Sequence, residues 1–378
     1  MYIGICAEAD MYVPAFPQMI NFFGVAENEI QQVLSINFLG LCVSGIIAGP
    51  LSDSYGRRAV LFWGMLVFFV SSVFCIFCDS FYSLLFWRLV QGIAAAIPMV
   101  VGASSLWDKY SPQEAGKLVG IINGFITAFI AGAPIIGAWI SEAFDWKANF
   151  VTMAVVAGIS FLGTALFLEE TLDKKQRRAF NLHKIACDYL KIMSDFKFIT
   201  YSVIACFPFI AIMIYISNLS VIFINHLGME IGAFGYYQAT TMLVFIFSSL
   251  FSTKLISAKG VDFTKHLGGL LSILGSSLLF LTALIYPQCP ILICASMAVV
   301  SFGGGMLAGT FGAKAMEDYI GMTGAAMALM TALRQLSVII FVSLTEVFFD
   351  GTIVPVASII FLLMALCTIG FFCFGKTK

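Results

Sequence analysis

Apolar residues run along this chain in blocks of about twenty, too uniformly hydrophobic for the one-sided stripe of a soluble helix and long enough to cross a bilayer. Residues 60–78 and 353–374 contain almost no polar position. Twelve such blocks can be marked, at roughly 1–23, 30–51, 59–78, 81–106, 118–141, 148–168, 198–225, 232–256, 266–286, 290–313, 322–346 and 352–375. The pattern predicts an all-α membrane protein with twelve transmembrane helices. Most linkers are short and carry Gly, Pro, Asn or charge. The exception, 169–197, is long and highly charged, and it divides the spans six and six: an N-terminal six-helix bundle over 1–168, a central loop over 169–197, and a C-terminal six-helix bundle over 198–378.

Composition agrees with the bilayer as solvent. Of 378 residues, 60% are hydrophobic and 11% charged, against about 25% charged in a soluble domain. The net charge of −1 gives no excess of basic residues for nucleic acid. The placement of charge carries more information. With the central loop inside, seventeen of the twenty Lys and Arg fall on that side and only Lys147 on the other, while Arg88 and Arg334 lie within spans. By the positive-inside rule both termini are expected in the cytoplasm. Met1 to Phe23 lacks a basic start and a small-residue cleavage site, so no cleavable signal peptide is expected. Cys75 and Cys78, spaced C-x-x-C at the end of a hydrophobic helix, read as packing residues, with a disulfide or metal at the outer surface as the alternative. No metal or triad constellation emerges from His183, His226 and His266, and no cofactor is implied.

Four segments carry candidate chemistry. Between spans 2 and 3 stands Gly49-Pro-Leu-Ser-Asp53-Ser-Tyr-Gly56-Arg57-Arg58, in which glycines permit a tight turn and Asp53 with the arginine pair can form ion pairs that break when packed halves move. An ordinary basic loop is the bland alternative. Span 4 holds Arg88, followed by Gln91 and Gly92; a guanidinium within a span costs about 2.5–3.5 kcal/mol on insertion scales and normally faces a cavity or a counter-charge. Arg88 near a helix end could instead snorkel to a headgroup. Span 5 carries Gly124, Gly132, Pro134 and Gly137, a small-residue stripe suited to close packing and bending. The opening segment reads Glu8-Ala-Asp10-Met-Tyr12-Val-Pro14-Ala-Phe-Pro17. Further polar positions within spans, Asn37, Asn218, Gln238, Arg334, Gln335 and Glu346, are cavity candidates by placement, and interhelical packing explains the uncharged ones equally well.

These strings resemble the major facilitator superfamily. The Gly49–Arg58 loop is similar to its signature loop, the Arg88 string to its fourth-helix motif, and the span 5 glycines to its antiporter motif, although Ala133-Pro134 and Gly137-Ala138 depart from the usual Gly-Pro and paired glycines. The D-x-x-x-P-x-x-P pattern from Asp10 to Pro17, with Trp146, Glu170-Thr171-Leu172 and Tyr215-Ile-Ser217, resembles the Bcr/CflA branch of bicyclomycin and chloramphenicol drug:proton antiporters. The likeness is densest in the first half.

That resemblance implies a major facilitator fold of two six-helix bundles around a central cavity, with solute bound near mid-membrane and access alternating between sides. It implies export of drug-like compounds or small metabolites by proton antiport from a bacterial inner membrane, with no enzymatic chemistry. Asp10 would exchange protons, Arg88 would hold or tune the cavity charge, and the Asp53 loop would stabilise one access state. Tyr12, Asn37, Gln91, Asn218 and Arg334 are the candidate cavity residues. The partners are a small-molecule substrate, protons and lipid, and a monomer is expected. Alternatives are an uptake symporter of the same fold and a non-transporting remnant. The remnant is suggested by the nine residues before Asp10, only about 13 Å of helix, so that Met1 reads as a misassigned start or the protein as degraded. Glu8 reads as a second titrating group or as a residue facing a watery cavity.

Overall fold

The computed structural model describes residues 11–374 apart from 174–176, 178–179 and 320–322. Every regular element among them is helical. A 3₁₀ turn, Val13–Ala15, leads into α1 (Phe16–Phe23), which ends at Gly24 in the left-handed region. There follow α2 (Gln32–Tyr55), α3 (Arg57–Ile76), α4 (Phe81–Lys109), α5 (Pro112–Ala143) and α6 (Trp146–Phe167). The second half comprises α7 (Leu182–Met193), α8 (Phe196–Ser220), α9 (Ile231–Ile285), α10 (Pro290–Met316), α11 (Thr323–Phe348) and α12 (Val354–Phe374). A π-helical turn, Val221–His226, extends α8.

Local sequence explains where the helices stop and start. Gly56 takes φ 99°, a conformation costly for a residue with Cβ, and so separates α2 from α3 within a single residue. At the head of α5, Ser111 and Glu114 form a capping box with Pro112 at the first turn. Asp145 caps α6 by accepting from the Ala148 N–H at 3.0 Å. One helix, α9, spans 55 residues but is broken at Gly260, where φ is 85°, so its two arms are separate crossings.

Eight of the described helices are long and apolar enough to cross a membrane, and shorter apolar helices lie at Ala128–Ala143 and Val354–Gly370. With α9 counted as two arms and α1 included, the described helices correspond in order to the twelve expected spans, α1 with its eight residues being too short by itself to cross. The central segment differs from its reading as a loop: α7 lies within 169–197. Its hydrophobic residues, such as Ile185, Tyr189 and Ile192, recur at the i, i+4 and i+7 positions of one face, and the Tyr189 hydroxyl donates to the Ile46 carbonyl of α2 at 2.9 Å. Charge density alone had hidden that stripe.

The halves pack against each other through α2 with α11 and through α5 with α9. On the second seam Gly235 of α9 faces Ala138, Ile135 and Pro134 of α5, and Gly232 faces Glu142. Small residues let these backbones approach closely, the ordinary means of helix association where both helix and lipid are apolar.

Candidate functional site

Arg88 is wholly buried, seven residues into α4. Its guanidinium donates to the Gln91 Oε1 at 2.5 Å and to the Tyr12 hydroxyl at 2.9 Å, and its Cζ lies 4.4 Å from the Tyr12 ring centre. Gln91 passes the network on, its Nε2 donating to the Ser72 hydroxyl of α3 at 2.8 Å. Tyr12 is held by the rings of Phe16 and Phe150, each 5.7 Å away. Snorkelling to a headgroup is therefore not what Arg88 does; three helices enclose it. Asn37 supports the site from behind, its amide donating to the Arg88 carbonyl at 3.1 Å, while Gly92 touches the Asn37 carbonyl so closely that a Cβ would fall 2.1 Å from it. Thus Tyr12, Gln91 and Asn37 join one buried polar network with Arg88. Asp10 and Glu8 lie outside the described residues.

The stripe on α5 divides by environment. Gly137 packs on the Met11 carbonyl, where a Cβ would fall 1.8 Å away, whereas Gly132 has no atom within 4 Å of such a Cβ. Pro134 lies inside the helix and its carbonyl meets Gly235 of the other half. Gly124 also lies within α5.

At the other end, the motif loop centres on Arg57 rather than Asp53. Arg57 is 8% exposed; it pairs with Asp53 at 2.6 Å and with Asp108 of α4 at 2.9 Å, and bonds the Ser52 hydroxyl. Its backbone N–H donates to Glu170 at 2.9 Å, and Arg177 holds the other Glu170 oxygen at 3.1 Å. Beside them Lys109 pairs with Glu169 at 3.0 Å and keeps that carboxyl below its ordinary range. A Cβ on Gly56 would strike Glu170, which gives that glycine a second reason beyond its φ. Gly49 meets Val100 of α4, and Arg58 is exposed. Sequence reasoning missed Asp108, Ser52 and Arg177 as partners; Glu170 had signalled itself only through the Glu170-Thr171-Leu172 string.

The end opposite this loop is closed across the two halves. Gln31 donates to Asn218 at 2.7 Å, and Thr345 bonds Gln31 and receives from Asn218, both at 3.3 Å. Gln32 donates to Glu346 at 2.7 Å. Glu27 accepts from Asn225 and meets the His226 ring nitrogen, each at 2.8 Å. Asn218, expected in the cavity, is completely buried in this knot. Arg334 stands lower on α11, its Cζ 4.6 Å from the Phe209 ring centre. Among the described residues no group of three or more His, Cys, Asp or Glu could hold a metal ion, and no disulfide joins the described cysteines, Cys75 and Cys78 included.

Known proteins give this arrangement a context. The family model described as Major Facilitator Superfamily matches residues 1–342. A bicyclomycin resistance protein homolog of Haemophilus influenzae is 25% identical over 276 residues, covering 73% of this chain and 69% of that protein. The multidrug resistance protein MdtL of Shewanella sp. is 29% identical over 248 residues, 65% of this chain and 61% of the relative's length. Among solved structures, a bacterial homologue of the human lysosomal transporter Spinster has a TM-score of 0.78 at 14% identity, covering 100% of this chain and 95% of that one. The xylose transporter XylE from E. coli has a TM-score of 0.69 at 14% identity, covering 100% and 97%; at such identity both speak to fold alone. The membrane-length helices, the motif loop built around Arg57 and a family match over 342 residues lead to one conclusion: the chain is a multi-pass membrane protein that belongs to the Major Facilitator Superfamily.

Proposed function

We propose that this protein exports small organic solutes from a bacterial cell in exchange for protons, its two bundles (1–168 and 198–378) rocking about the central segment 169–197 in an inner membrane with both termini cytoplasmic. The observation that carries the reading is the buried Arg88 network, in which an arginine and a tyrosine hydroxyl meet among the helices of the first half. A buried guanidinium is costly, and deep arginines in membrane proteins mark ion or substrate paths. Asp10, two residues before Tyr12 in the sequence, supplies the exchangeable proton, and Arg88 sets the charge against which it titrates. The resistance-protein relatives favour drug-like solutes as cargo. The end closed by Gln31, Asn218 and Thr345 is the external one, and the Arg57 cluster lies at the cytoplasmic face.

Everted vesicles given a panel of labelled drugs, with and without a pH gradient, test this. Gradient-dependent accumulation is expected, lost in Asp10→Asn and reduced at least about ten-fold in Arg88→Gln, which leaves Tyr12 and Gln91 without their buried donor. Accumulation in right-side-out vesicles instead would make the protein an uptake symporter, and equal pumping by Asp10→Asn would withdraw that residue's role.

A further inference from the structure

Arg334 sits near the middle of α11, fourteen residues from Phe348, or about 21 Å from that helix end. The lipid-facing side of α11 is marked by the exposed residues Leu336, Ile340, Leu344 and Val347. Arg334 lies on a different stripe, with Val338 and Thr345 at i+4 and i+11, both fully buried. Thr345 on that stripe touches Gln31 of the other half. Arg334 therefore lies on the face of α11 turned away from lipid, against Phe209 of α8, roughly 16 Å along the helix from the polar knot.

Among the described residues no carboxylate lies within ion-pair distance of Arg334, and its Nε, though buried, has no hydrogen-bond partner. Glu346 is twelve residues away on the same helix, about 18 Å. The contact the structure does give is the Phe209 ring. A ring beside a guanidinium does not take up its N–H donors, and those donors are what a carboxylate pairs with. An uncompensated cation at this depth costs several kcal/mol unless something supplies the missing charge. Part of the residue remains accessible, so a small ligand can reach it.

We propose that Arg334 is an anion-recognition point in the central space, and that solutes bound by this protein carry a carboxylate on an aromatic or apolar body. This rests on reading the chain as a solute transporter and adds a substrate class. It also separates the two arginines that lie within spans: Arg88 is satisfied by its own side-chain partners, whereas Arg334 waits for a ligand.

The test is binding to the purified full chain in nanodiscs, without any pH gradient, using 1-naphthoate, 1-naphthamide and 1-naphthylmethylamine as probes. Naphthoate should bind at least about ten-fold more tightly than the amide, as a charge-assisted pair replaces a neutral one. In Arg334→Gln that preference should vanish. A wild type that does not distinguish the acid from the amide, or a folded Arg334→Gln variant that still prefers the acid, overturns the proposal. Should Arg334→Gln not purify as a monodisperse species, Phe209→Trp keeps the charge and reports from beside it: naphthoate should alter the new emission and the amide should not, and no change with either overturns the site. Loss of proton-driven flux would leave this binding result standing, and binding indifferent to Arg334 would leave the export reading standing.

Discussion

At the scale of single residues, the space around a side chain decides its importance more than its type does. Gly132 and Gly137 look alike in the sequence, yet a methyl group at Gly132 meets nothing within 4 Å and one at Gly137 runs into the Met11 backbone carbonyl. Backbone cannot rotate aside as a side chain can. Gly137→Ala should therefore force α5 away from the first helix and cost at least about 1–3 kcal/mol, while Gly132→Ala stays near neutral. Thermal melting of the two detergent-purified variants checks this, and equal melting temperatures would show that the close approach does not matter. The same distinction applies to the two arginines within spans, one enclosed by acceptors from its neighbours and one set against a ring.

At the scale of elements, the Arg57 cluster fastens α2, α3, α4 and the segment after α6 into one body. Asp53, the conspicuous acid of the motif, has a side chain 42% exposed and pairs with Arg57 within the same turn, whereas Asp108 is 22% exposed and reaches Arg57 from α4. Exposed pairs contribute little, typically under about 1 kcal/mol, and a hub with several partners contributes more. Arg57→Gln should slow turnover and lower the melting temperature most, Asp108→Asn next and Asp53→Asn least. Vesicle flux set beside expression in the membrane gives the order, and an Asp53→Asn defect as large as that of Arg57→Gln would show that the motif acid works by some route other than this hub. Lys109 and Glu169 add a further pair at the same face, wide open to solvent and correspondingly weak.

At the scale of the whole molecule, the polar knot of Gln31, Asn218 and Thr345 is where the halves hold each other by buried hydrogen bonds. Opening that end must break them, so they stabilise the closed arrangement over its alternative. Removing one member leaves buried partners unsatisfied, at about 1–3 kcal/mol, enough to shift a two-state equilibrium several-fold or more. In a single-cysteine background carrying Val338→Cys, below the knot on the Arg334 stripe, Asn218→Ala should speed labelling by an impermeant maleimide added from outside. Unchanged labelling would mean that the knot does not gate that end.

Hydropathy and glycine placement were enough to mark out the membrane helices and the short turns between them, because a bilayer imposes length and polarity on each span separately. The motif loop and the enclosure of Arg88 were also legible, since a glycine-bounded basic turn and a charge inside a span are local signals. What each charge meets was not legible. Asp108 reaches Arg57 from 51 residues away, and Asn218 meets Gln31 across 187; a lone polar residue in a span has the same sequence appearance whether it lines a cavity or fastens two helices. Asn37 and Asn218 turned out to fasten helices, and Arg334 was left with a ring and an unpartnered Nε. α7 stayed hidden because its apolar stripe is diluted by charge. The one-dimensional pattern fixes which residues can leave water; only packing in three dimensions brings their partners within hydrogen-bond reach, or leaves one without.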